Sequence, residues 1–125
     1  MNIVLWVLQV LVGLVFVLNG AYTHGFGAAQ AKSRPGMQWI GAIPQPLLTF
    51  IAICEFLGGV GLILPAATGT LPWLTPLAAG LLAVVMLLAA GYHFVRREYP
   101  NIAFNLVLLA LAAFLAYGRF VAVPL

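Results

Sequence analysis

A chain of 125 residues that is 65% hydrophobic and 6% charged cannot hide its apolar surface in a water-soluble fold, since soluble domains carry roughly 25% charged residues. The bilayer must act as its solvent. The net charge of +3 is spread over a few residues; it makes no clustered basic face for nucleic acid and serves instead to orient the chain. Cys54 is the single cysteine, which excludes an intrachain disulfide and argues against a thiol oxidoreductase with its own redox pair.

Four apolar segments follow one another. The N-terminal residues Met1 to Trp6 contain no Lys or Arg, so the first segment, Ile3 to Tyr22, reads as a spanning helix rather than a cleaved signal peptide. It ends at Gly25-Phe26-Gly27. A long connection, Thr23 to Pro46, carries Lys32, Arg34 and Trp39; loops of that length are often functional, and Gly36 to Gly41 suits an interfacial turn of helix capping the bundle mouth. The second span, Leu47 to Leu64, lies between Pro46 and Pro65. After the uncharged turn Ala66 to Pro72 comes the third, Trp73 to Val95, stopped by Arg96-Arg97. The fourth, Ile102 to Tyr117, follows Pro100-Asn101. Each is near the roughly 17–25 residues needed to cross hydrocarbon. Open sheets cannot live in lipid, so the expected fold is an all-α integral membrane bundle of four transmembrane helices in one domain, residues 1–125.

Alternating helices put the first and third connections on one side, with Lys32, Arg34, Arg96 and Arg97, against Arg119 on the other. The positive-inside rule then places both long connections in the cytoplasm and both termini outside.

Glu55 lies inside the second span and is one of two acidic residues. A carboxylate there costs about 2.5–3.5 kcal/mol on insertion scales, so it should face the bundle interior and find a partner. By helical rise it sits roughly 12 Å below the cytoplasmic edge. Asn19, His93 and Asn105 belong to the same half. Periodicity places each polar group on a face of small residues: Glu55 with Ala52, Gly58 and Gly59, His93 with Ala79, Ala83 and Ala90, Asn105 with Ala112 and Ala116, Asn19 with Gly13 and Gly20. Small faces are where membrane helices pack closely. The expectation is a coupled Glu55–His93 pair able to hold or pass one proton, with Asn19 and Asn105 orienting a ligand oxygen in an apolar pocket. The plainer readings are that Glu55 is a structural tie, that the asparagines only join helices, that Arg119 snorkels to headgroups, that His24 is solvated and that the Cys54 thiol faces lipid. The spacing of Glu55, His93 and His24 fits no metal motif, and no metal is expected.

The run Met37-Gln38-Trp39-Ile40-Gly41 through Pro44, then Ile53-Cys54-Glu55-Phe56-Leu57-Gly58-Gly59 to Pro65, resembles DoxX-like membrane proteins. So do Ala89-Ala90-Gly91-Tyr92-His93 and the ending from Asn105 to Phe120. The resemblance implies a bacterial four-helix inner-membrane protein and maps the family's polar pattern onto Glu55, His93, Asn105 and Arg119. Some relatives are membrane subunits of a thiosulfate:quinone oxidoreductase, which brings a quinone into view as cofactor or ligand. The site expected is therefore Glu55 and His93 as the proton-active pair, with Asn19, Asn105, Arg119 and Trp39 binding a lipophilic molecule. Two other functions compete: a non-catalytic anchor for a soluble oxidoreductase docked on the long connection, and a stand-alone isomerase or cyclase using acid–base chemistry. Partners are the bilayer and a lipophile, with a soluble redox protein and self-association as further candidates and no nucleic acid.

Overall fold

The computed structural model describes residues 1–125, all helix and connection with no strand. Helix α1 (Asn2–Leu18) runs on into a π-helical segment, Asn19–Phe26. Two short helices, α2 (Ala28–Ala31) and α3 (Trp39–Ala42), occupy the long connection. Then come α4 (Gln45–Thr68), α5 (Leu74–Val95) and α6 (Tyr99–Tyr117), which ends in a second π-helical segment, Gly118–Ala122. Four helical stretches of 22 to 25 residues, the first kinked near its end at Gly25, are apolar enough to cross a membrane. At 1.5 Å per residue they reach at least about 33 Å, enough for a hydrocarbon core of about 30 Å.

The burial pattern is that of a bundle with lipid outside. Leu5, Phe16, Leu62, Leu82, Leu108 and Leu115 meet in one central core. Val7, Leu11, Phe50, Leu57, Leu81, Leu88 and Val107 stay exposed along the outer faces, as membrane helices require. Helices α1 and α4 come together through glycine. A Cβ on Gly59 would lie 2.6 Å from the Gly13 carbonyl oxygen, and one on Gly20 would lie 2.5 Å from the Ala52 carbonyl oxygen. Backbone is thus packed on backbone, the arrangement that small residues permit in lipid.

The second span does not stop at Pro65, as its sequence suggests, but continues to Thr68. Proline has no N–H for the carbonyl four residues back, and in a bilayer that orphan must be satisfied from elsewhere. Thr75 supplies it: its hydroxyl donates to the Gly61 carbonyl at 3.0 Å. The Gln9 side-chain amide from α1 donates to the next carbonyl, Leu62, at 3.0 Å. The proline is tolerated because Thr75 takes the carbonyl it frees, and Gln9 adds a second interhelical bond beside it.

Over the other end of the bundle, α2 and α3 make a small second core of Ala31, Trp39, Ile40 and Ile43 on Leu48 of α4. Asn101, at the start of α6, pins this connection by donating from Nδ2 to the Gly36 carbonyl at 2.9 Å. The expected cap on the bundle mouth is present.

Thr75→Val keeps the shape and removes the donor to Gly61. It should lower unfolding free energy in detergent by about 1 kcal/mol, the size of an interhelical hydrogen bond in a membrane protein. Gly20→Ala should cost more, about 1–3 kcal/mol of overpacking, whereas Gly80→Ala, with open space around its Cβ, should be neutral or stabilising.

Candidate functional site

Glu55 lies on the inner face of α4 with Ala52, Gly59 and Leu62, and is 1% exposed. Its expected enclosure by protein is found. Its partner, however, is not His93. Oε1 of Glu55 lies 2.5 Å from Nδ1 of His24, a residue whose sequence position suggests a solvated exit loop. The reason is the π-helical segment. There the backbone bonds step from i to i+5, as in Gly27 N–H to the Tyr22 carbonyl at 2.7 Å, so the helix is widened as far as His24 before the backbone breaks at Gly25, the expected end. Gly20 seats this segment directly on the α4 backbone, which brings His24 onto Glu55. Single π-turns of this kind often occur at functional sites.

His93 has its own carboxylate. Helix α5 closes in a Schellman turn, with Glu98 N–H donating to the His93 carbonyl at 2.9 Å and Arg97 N–H to the Phe94 carbonyl at 3.1 Å. Arg97 takes the left-handed position at φ 59°. The turn folds Glu98 back so that its Oε1 lies 2.8 Å from His93 Nδ1 and accepts from Arg96 Nε at 3.1 Å. The chain's two acids therefore serve its two histidines, one pair deep in the bundle and one at its end. In both rings the carboxylate occupies Nδ1, which leaves Nε2 as the nitrogen a guest can use.

Trp39 stands between the two imidazoles. Its ring centroid is 5.1 Å from that of His24 and 5.0 Å from that of His93, both edge-on, and Tyr92 adds a third edge at 6.3 Å. Below it is a cavity of about 280 Å³. Asn19, Thr23 and His24 face it from α1 and its extension; Cys54 and Glu55 from α4; Met86 and His93 from α5; Asn105 from α6. Asn101 and Tyr92 also line it, and the rest of the wall is apolar. Two donors in this wall, Trp39 Nε1 and Asn105 Nδ2, are buried with no hydrogen-bond partner. Buried polar groups are nearly always paired, so both are open for a guest with acceptor atoms.

Of the six residues expected from sequence, Glu55, His93, Asn19, Asn105 and Trp39 line this one cavity. Arg119 does not. It lies fourteen residues beyond Asn105 along α6, roughly 20 Å away by helical rise. Nor does it snorkel: it is 2% exposed. Its Nε donates to Gln9 Oε1, its Nη1 to Asn2 Oδ1 and to the Val123 carbonyl, and Trp6 covers the guanidinium at 5.5 Å. The α1 amides reach the guanidinium before water can, so Arg119 ties the two ends of the chain together. Cys54 is half-buried in the cavity wall rather than wholly turned to lipid. His24 and Glu98 are not among the six, and each completes a pair with one of them. The equal number of acids and histidines, two of each, is the signal that links them.

With the cavity in view, the comparison with known proteins is decisive for the family alone. A family model described as the DoxX-like family matches residues 7–115. The chain belongs to the DoxX-like family. No curated protein and no solved structure matches it. The matched stretch contains every cavity residue named above, and Arg119 lies beyond its end. This DoxX-like chain is a small multi-pass membrane protein.

Arg119→Ala removes three hydrogen bonds and leaves Gln9 Oε1 buried without a donor. It should lower unfolding free energy by about 2–3 kcal/mol in a denaturant titration, yet leave the emission spectrum of Trp39 unchanged in a variant carrying Phe at positions 6 and 73.

Proposed function

We propose that this DoxX-like protein binds a lipophilic, quinone-like molecule beneath Trp39, in a redox- or proton-coupled role. One observation carries the reading: an enclosed carboxyl–imidazole pair shares an apolar cavity with two buried N–H groups that have no partner in the protein. The carbonyl oxygens of a quinone-like head suit Trp39 Nε1 and Asn105 Nδ2 as donors. Glu55 Oε1 lies against His24 Nδ1, so that as the Nδ1 proton moves to the carboxylate, Nε2 of the same ring takes a proton from a ligand oxygen, and the reverse sequence delivers one. His93 with Glu98 offers a second such pair on the other side of the indole. Electrons, where the role is redox, come from a partner. The exposed Lys32, Arg34, Arg96 and Arg97 at this end of the bundle give an acidic soluble protein a basic face to approach, which is the observation behind the alternative role as a membrane anchor.

The same four charges orient the protein in a bacterial inner membrane with the cavity end in the cytoplasm and both termini outside. Arg119, being buried, adds nothing to the opposite side. Alkaline phosphatase fused after Leu125 should therefore be active in intact cells; a fusion active only when placed in the Thr23–Pro46 connection reverses the orientation.

Decylubiquinone should quench Trp39 fluorescence saturably in detergent, read in a variant with Phe at positions 6 and 73. Asn105→Leu and His93→Ala should each weaken that binding about tenfold, or about 1.4 kcal/mol, in the range of one lost hydrogen bond. Binding that is unchanged in both variants removes the quinone-like reading.

A further inference from the structure

The cavity has a side opening. Four apolar side chains of its wall also lie on the outer surface of the bundle: Leu47 and Phe50 of α4, 47% and 63% exposed, Leu88 of α5, 69%, and Phe104 of α6, 51%. On helices that cross a membrane such side chains meet acyl chains. Helices α4 and α5 are pressed together far from this point. There Leu82 fills the space beside Gly58, and Thr75 bonds Gly61. The end of the bundle is roofed instead, by Trp39 and the connection pinned through Asn101 to Gly36. The way in from lipid is thus lined by apolar side chains, and the way in from water is covered.

The wall also selects what can enter. It contains no Lys or Arg, and its one carboxyl group is engaged by His24. A phosphate head finds no Lys or Arg there, and an ammonium finds no free carboxylate. What the wall does offer is donors, on Trp39 and Asn105. A volume of about 280 Å³ is at the low end of ligand sites, about 300–1,000 Å³. That holds a small ring-sized head and leaves no room for a diacyl lipid.

We infer that the cavity loads sideways from the bilayer. It takes a single-tailed lipophile whose uncharged, acceptor-bearing head seats under Trp39 and whose tail leaves past Phe50, Leu88 and Phe104. The nature of the head rests on the binding role proposed above; the route rests on the opening alone.

Cys54, the sole thiol, lines the same cavity, so the native chain in lipid nanodiscs can report both. N-dodecylmaleimide dissolved in the bilayer should alkylate Cys54 at least tenfold faster than a sulfonated, water-borne maleimide. Leu47→Trp and Leu88→Trp place bulk in the opening at lipid-exposed positions, and each should slow dodecylmaleimide at least fivefold. Equal rates for the two reagents, or dodecylmaleimide labelling that neither substitution slows, overturns the side route. Decylubiquinone should protect Cys54 from the reagent. Labelling that the tryptophans slow but decylubiquinone does not prevent upholds the side route and rejects the quinone-like head.

Discussion

A carboxyl group carried into hydrocarbon has to find a partner within the chain, since no water is there to solvate it. In this protein that demand is met by Glu55 and His24, and much of the local structure follows from bringing them together. Glycines at positions 13, 20 and 59 let α1 and its extension lie backbone to backbone on α4. The widened π-helical turn carries the first span far enough to deliver His24. Trp39 then closes over the imidazole, and the long connection is folded under its own small core so that the indole stays in place. Each of these features is costly or unusual by itself. Together they fix one polar pair in an apolar setting.

Elsewhere the bundle treats polar atoms with the same severity. The carbonyl freed by Pro65 is taken by Thr75, its neighbour by Gln9, and Gln9 in turn accepts from Arg119. This chain of bonds runs from α5 through α4 and α1 to the end of α6, across the half of the bundle away from the Trp39 cavity. The two halves therefore divide the labour. One is closed by glycine contacts, leucine packing and satisfied amides; the other is held open by rings and histidines.

Much of this was legible in the sequence. Apolar runs bounded by proline and paired arginines mark the four spans, and the small-residue faces send Glu55, Asn19, His93 and Asn105 inward, as observed. The errors have a common physical origin. Reckoning by depth and a 3.6-residue period assumes regular helix, and it fails where the backbone leaves that period. The i to i+5 step after Asn19 rotates His24 into the bundle. The Schellman turn at Arg97 folds Glu98 back onto His93, so His93 meets Glu98 in place of Glu55, and Glu55 meets a histidine expected to be solvated. Pro65 reads as a stop because the repair comes from Thr75, a residue beyond the next turn. Arg119 reads as a snorkelling cation because the amides that hold it, on Asn2 and Gln9, are more than a hundred residues away in sequence.

The unpaired donors bear on why the cavity exists at all. Three buried side-chain nitrogens lack partners: Arg119 Nη2, Trp39 Nε1 and Asn105 Nδ2. The first belongs to a guanidinium already held by three bonds, and a fourth adds little to its placement. The other two have no bond from those nitrogens, and they lie in the same cavity wall on opposite elements, α3 and α6. A chain that recruits a distant threonine to satisfy one proline-orphaned carbonyl gains nothing structural by leaving two N–H groups bare, each at a desolvation cost of about 1–3 kcal/mol. Leucine or phenylalanine at either position could fill space without that penalty. Under the proposed function the pair is half of a set of hydrogen bonds, the other half of which arrives with the ligand. The same wall holds both imidazoles, each with Nδ1 against a carboxylate, and it is this combination of bare donors and paired rings that the proposed function uses to grip an oxygen and move a proton to it.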